Sequence, residues 1–304
     1  MRRARGCDNH ERADGARAAR AVGLLALWLA AACAPPAAPA PHPAVAALMV
    51  PTGAWQRDWI RRHGGAPDGS VTVRYVQTPS VFGDLRIPGD RPDVAPATSL
   101  AELTDAQLAA LARQNGFAGV TTMAGANATW HHEIDFQPAD DDADVGRIEP
   151  DGERRMFEHA LDGAYVERWS GLERGTGEFF AARVERHGHV DQLLAVAGEH
   201  FVYARARAVT LPPGASLTEL IARTHPARDT LLAYLDCEIS YGTTRGWQIE
   251  RSTLPWLQGK RLAFADRIAV DAGGQPAPRA PAAGEAWSFP VVALAPDPLR
   301  ALFE

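Results

Sequence analysis

Apolar and polar residues alternate over short stretches along much of the chain. Val71-Thr72-Val73-Arg74-Tyr75-Val76-Gln77 is β-branched and near-alternating, which predicts a strand with Val71, Val73, Tyr75 and Gln77 on one face. Residues 130–136 alternate as well. As a regular strand they place Trp130, His132, Ile134 and Phe136 together, with His131, Glu133 and Asp135 opposite. Around Tyr203, Arg205 and Arg207 the alternation predicts an ordinary amphipathic strand with its arginines toward solvent. Helical signals occur at two places. Ser99 with Glu102, and Ser216 with Glu219, match the capping box that opens a helix. Leu108, Leu111 and Ala112 extend the first apolar face, Gly116 suits its stop, and Pro226 shortens the second.

The elements recur. Ser99-Leu100-Ala101-Glu102-Leu103 returns as Ser216-Leu217-Thr218-Glu219-Leu220. Trp130, Glu133 and Pro138 return as Trp247, Glu250 and Pro255, and Arg147-Ile148 as Arg267-Ile268. Upstream, Ile60-Arg61-Arg62-His63-Gly64 resembles Val184-Glu185-Arg186-His187-Gly188. Matches in the same order imply a tandem duplication. Each repeat is strand-rich with one short inserted helix, and closure into a barrel removes exposed edges. The expected fold is mainly β: two tandem barrels, over 52–170 and 171–304. Residues 272–284, rich in Gly, Ala and Pro, read as a hairpin loop.

Composition narrows the function. The chain has 304 residues and a net charge of −6. The first 49 residues carry more basic than acidic side chains, so the remainder is more acidic still, which argues against nucleic acid as a partner. Six arginines precede an apolar run, Ala21 to Ala32, that is too short for a comfortable membrane span. Two readings of this region stay open. In one, residues 1–33 are a lipoprotein signal ending at Cys33, which carries the lipid, and 34–51 are an Ala/Pro-rich linker; the protein then sits in the cell envelope. In the other, translation starts at Met49 and the protein is cytoplasmic. Cys237, the one cysteine of the globular part, reads as a small buried hydrophobe.

Gly53-Ala54-Trp55 resembles the Gly-x-Trp that opens lipocalin-like barrels. Together with Phe82-Gly83-Asp84-Leu85-Arg86-Ile87-Pro88, the segment from Leu111 to Gly119 and the segment from Trp130 to Pro138, it resembles the fungal casein-kinase-interactor family. That resemblance implies two tandem lipocalin-like barrels, a binding role and no transferable catalytic residues.

The candidate chemistry lies on the first repeat. Tyr75, Gln77, Trp130 and His132 are positioned to line a mostly apolar barrel cavity that takes a small amphipathic molecule. Non-catalytic binding without a cofactor or metal is the leading expectation. One alternative is a lyase or isomerase acting on an aromatic or carboxylic substrate. There Tyr75 orients the substrate, Arg86 clamps a carboxylate and Glu133 is the acid–base group. The other alternative is an interaction module with filled barrels. Asp84 and Arg86, two apart, also suit a structural ion pair at a barrel rim.

Overall fold

In a computed structural model, the described residues are 50–139, 143–172 and 177–304. The signal-like run, Cys33 and Met49 lie outside them. Eight antiparallel strands close a barrel: β1 (Gly53–Arg62), β2 (Val71–Gln77), β3 (Val81–Pro88), β4 (Asn115–Ala124), β5 (Asn127–Asp135), β6 (Asp144–Pro150), β7 (Arg155–Ala160) and β8 (Tyr165–Gly171). β1 pairs with both β2 and β8, so no edge is left open. Trp55, of the Gly-Ala-Trp segment, sits on β1 inside the barrel and donates from Nε1 to the Pro51 carbonyl at 2.9 Å.

The second half repeats this succession without closing. Its strands are β9 (Phe179–Arg186), β10 (His189–Ala197), β11 (His200–Arg205), β12 (Glu238–Thr243), β13 (Gln248–Ser252), β14 (Ile268–Val270), β15 (Pro276–Pro278) and β16 (Glu285–Val292). β16 pairs with β9 as β8 pairs with β1, and the six-stranded order is β13-β12-β11-β10-β9-β16. β14 and β15 pair only with each other, so the expected second closed barrel is an open sheet with a separate hairpin. The hairpin takes up part of the 272–284 segment.

The reason is visible in the packing. The helix α4 (Pro296–Phe303) and the segment from Leu262 to Ile268 occupy the concave side of the open sheet. There Leu299 and Phe303 meet Phe180, Phe201 and Trp247, and the Trp247 indole donates to the Leu302 carbonyl at 2.8 Å. The opposite face of the same sheet covers the outside of β2, β3 and β5. Val202, Ala204 and Ile239 pack there with Val76, Leu85, Ile134 and Phe136. Strands β9 to β12 are therefore buried on both faces, which accounts for the continuous apolar run Leu193 to Ala197. It also corrects the reading of β11: Tyr203 is buried and Arg205 is held by Asp236 at 2.7 Å. The two layers approach so closely at Gly83 that a Cβ there would stand 2.4 Å from Val202.

The helices differ from expectation in several respects. Ser99 and Glu102 open only a 3-10 turn, and helix α1 (Asp105–Leu111) is capped one turn later by the reciprocal Thr104–Gln107 pair. Gly116 is not its stop; it lies in β4, where a Cβ would meet the Asp84 carbonyl at 2.8 Å. Helix α2 (Leu217–Thr224) is capped by Ser216 and ends at His225, ahead of Pro226. A third helix, α3 (Arg228–Leu235), leads into Cys237, which is buried. No helix among the described residues is long and apolar enough to cross a membrane.

Candidate functional site

The site is the interior of the closed barrel, and a bulge in β5 shapes it. His132 pairs with Gly119 and Ile134 with Ala118, leaving Glu133 as an extra residue. Only glycine fits opposite: a Cβ on Gly119 would lie 2.0 Å from the His131 carbonyl oxygen. The bulge reverses the alternation. Trp130 belongs to the barrel interior, whereas Ile134 and Phe136 turn outward onto the second sheet. The regular strand expected over 130–136 is corrected accordingly.

Two polar systems occupy the interior. Trp130 Nε1 donates to the Tyr75 hydroxyl at 3.0 Å, and Tyr75 donates to Gln77 Oε1, which also accepts from Thr121 at 2.8 Å. Burial pushes the Tyr75 hydroxyl well above its ordinary value, so it stays neutral. Gln77 is wholly buried behind Tyr75 and serves that chain of hydrogen bonds rather than the cavity wall. The second system is charged. Arg86 binds Asp84 through Nε at 2.8 Å and Nη2 at 3.4 Å. Its guanidinium also lies 4.9 Å from the Phe117 ring centre. This pair lines the barrel interior, not its rim. Arg57 pairs with Glu167, both almost fully buried. Burial pulls against the Arg86 charge, but Asp84, then Glu167 and Glu158, outweigh it and hold the guanidinium protonated.

Glu158 on β7 stands directly opposite Glu167 on β8. Burial first, and then the Glu167 charge, push the Glu158 carboxyl well above the usual carboxylate range. The Tyr165 hydroxyl donates to Glu158 Oε1 at 2.9 Å. Glu167 Oε2 and Trp169 Nε1 are buried without a hydrogen-bond partner among the described residues.

The barrel opens along one seam. β5 and β6 pair from Asn127 to Trp130 and then part, since Asp144 is the first paired residue of β6. His132 spans the gap, donating to Asp135 at 2.7 Å and Asp144 at 3.1 Å. Its ring stacks on Phe117 at 4.1 Å between centres. Burial lowers the imidazole pKa, but the bonds to Asp135 and Asp144 outweigh it and the value is pushed up to about 9. Outside this latch lies a mouth of about 610 Å³, lined in part by Phe117, Trp130, His132, Gln137, Pro138 and Asp144. Inside lies a pocket of about 10 Å³, room for about one water, bounded in part by Tyr75, Arg86, Trp130, Met156, Glu158 and Trp169.

Among the residues singled out from sequence, Tyr75, Arg86 and Trp130 meet at the inner pocket, and His132 stands at its mouth. Glu133 is not with them. As the bulge residue it faces β9, where Arg183 binds it at 2.9 Å. Glu158, Glu167 and Trp169 were missed. Their signal was the alternation of β7 and β8, which puts Met156 with Glu158, and Tyr165 with Glu167 and Trp169. No known family, curated protein or solved structure matches the chain.

Proposed function

We propose that the closed barrel binds a small, partly apolar molecule without transforming it. The observation that supports this is the graded site itself: a mouth of about 610 Å³ shares Phe117, Trp130 and Asp144 with a polar pocket deeper in the barrel. The concave side of the second half, by contrast, is filled by its own chain. Native mass spectrometry of the purified chain tests the reading. A reproducible extra mass, lost in Trp130→Ala, is the expected result. An apo mass that no lipophile or small aromatic shifts would favour an interaction module instead.

A lyase or isomerase acting on an aromatic or carboxylic substrate is the second reading. Tyr75 and Arg86 line one pocket with Glu158, which would stand in for the distant Glu133. Against it, Arg86 is already bound by Asp84 through two nitrogens.

We also propose that the chain is a duplicated lipocalin-like barrel, akin to the casein-kinase-interactor family, whose second copy has opened. Three features support the duplication. The strand succession is shared. Each first strand ends in a His-Gly turn with positive φ, 41° and 73° at His63 and Gly64, and 53° and 79° at His187 and Gly188. Glu250 is an extra residue opposite Gly242, as Glu133 is opposite Gly119.

A further inference from the structure

Each cation inside the barrel already has a carboxylate. Arg57 has Glu167, Arg86 has Asp84, and His132 holds both Asp135 and Asp144. Glu158 has none: its ion-pair partners among the described residues are nil, and the Tyr165 hydroxyl is its one hydrogen-bond donor. The neighbouring Glu167 Oε2, with its residue only 2 % exposed, has no hydrogen-bond donor among the described residues. The two neighbouring carboxyl groups are therefore short of positive charge at this place.

The size of the space and its walls narrow what can supply them. Glu158 bounds a pocket with room for about one water, and an ammonium group is about that size, whereas a carboxylate is larger. Trp130 and Trp169 line the same pocket, and aromatic faces attract a desolvated cation. Arg86, the guanidinium that lines this pocket, is spent on Asp84. Beyond the latch, Phe117, Trp130, Pro138 and Ala139 give the mouth an apolar wall for the rest of a molecule.

We propose that the barrel takes a small protonated amine, its ammonium in the inner pocket against Glu158 and its apolar body in the mouth beside Phe117 and Trp130. The proposal rests on the pocket binding a ligand at all. Binding draws the Glu158 proton off to solvent as the carboxylate forms against the ammonium. The groups facing Glu158 are Glu167 and Tyr165 on β8, Asp144 on β6, Arg86 on β3 and Tyr75 on β2. The His132 pKa, pushed up to about 9, lies above the range tested, so that imidazole stays largely protonated across it.

The experiment is calorimetric titration of the full chain with benzylamine, benzyl alcohol and benzoate, three ligands of similar shape and different charge. Benzylamine should bind at least about tenfold more tightly than benzyl alcohol, with benzoate weakest. Its affinity should fall as pH is lowered from about 8 to about 5, because protons compete for Glu158, while that of benzyl alcohol stays flat. Glu158→Gln should remove the advantage of the amine and spare benzyl alcohol. Benzoate or benzyl alcohol binding as well as benzylamine, or a benzylamine affinity independent of pH, overturns the amine assignment and leaves the binding reading standing. Failure of all three to bind overturns both.

Discussion

The two halves of this chain run their strands in the same succession, yet one encloses a charged cavity and the other packs helix α4 against its sheet. The difference sits at the seam after the fifth strand. In the first half His132 reaches across to Asp144 on β6, and the strands continue round to close. In the second half Ile249 holds the matching place, two residues after the repeated tryptophan, and it is buried in an apolar cluster. There the edge of β13 is bonded by the 259–262 segment, the hairpin of β14 and β15 pairs within itself, and Phe264, Leu299 and Phe303 join the apolar cluster. A shared backbone plan thus yields a cavity or a plug according to what a few inward residues can satisfy.

The comparison can be broken most forcefully at the plug. Phe303 is 6 % exposed and packs on Phe180 at 4.9 Å and Trp247 at 5.3 Å between ring centres. Phe303→Ala should cost about 3–5 kcal/mol in urea unfolding. A loss under about 1 kcal/mol would mean that the second half does not depend on its C-terminus.

The latch comes next. His132 has a pKa raised to about 9 in the fold, from an ordinary value of 6.5. A raised value stabilises the fold fully below about pH 6.5 and loses that contribution as pH climbs through about 9. Urea midpoints across that window should fall by the equivalent of up to about 3 kcal/mol, and His132→Phe should flatten the decline. Glu158 works in the same direction at lower pH, since its raised carboxyl pKa also costs stability as pH rises. Glu158→Gln should therefore lift the melting temperature near neutrality and leave it unchanged in acid.

The bulges offer a matched test of kinship between the halves. A Cβ on Gly119 or on Gly242 would stand 2.0 Å from a backbone carbonyl oxygen across the strand pair. Gly119→Ala and Gly242→Ala should each destabilise by at least about 1–3 kcal/mol, since backbone cannot swing aside. A large loss at one and none at the other would show that the two bulges are unrelated. The smallest contrast concerns the extra glutamates. Glu133→Gln removes the partly exposed pair with Arg183 and should cost about 0.5–1 kcal/mol, whereas Glu250→Gln, at an exposed position, should be near neutral. Thermal melts of the two variants side by side would resolve it.

How far the sequence disclosed this arrangement varies by element. β2 was legible to the residue, because alternation and β-branching agree over Val71–Gln77. The recurrence of Trp-x-x-Glu was legible too, but its meaning was not. The glutamate marks an extra residue in a strand, and a bulge leaves no local signature beyond a glycine on the partner strand. That hidden residue reversed the facing of Ile134 and Phe136, which turn onto the second sheet. Closure of one half and opening of the other depend on distant residues such as Phe303, which local pattern does not connect to the strands it covers. The carboxyl at the pocket, Glu158, was readable from the alternation of β7 but shares no spacing with the other site residues.

The close approach of Gly83 to Val202 has an evolutionary corollary. Where two folded units merely stand side by side, either can be lost, exchanged or fused to something new. Here the outer wall of the barrel and one face of the second sheet are a single core, through Leu85, Phe136, Ala195 and Ile239 among others. A gene fragment encoding either half would yield a product with a bare apolar face. The halves are therefore bound to be inherited together, and substitutions on one side of that layer constrain those tolerated on the other.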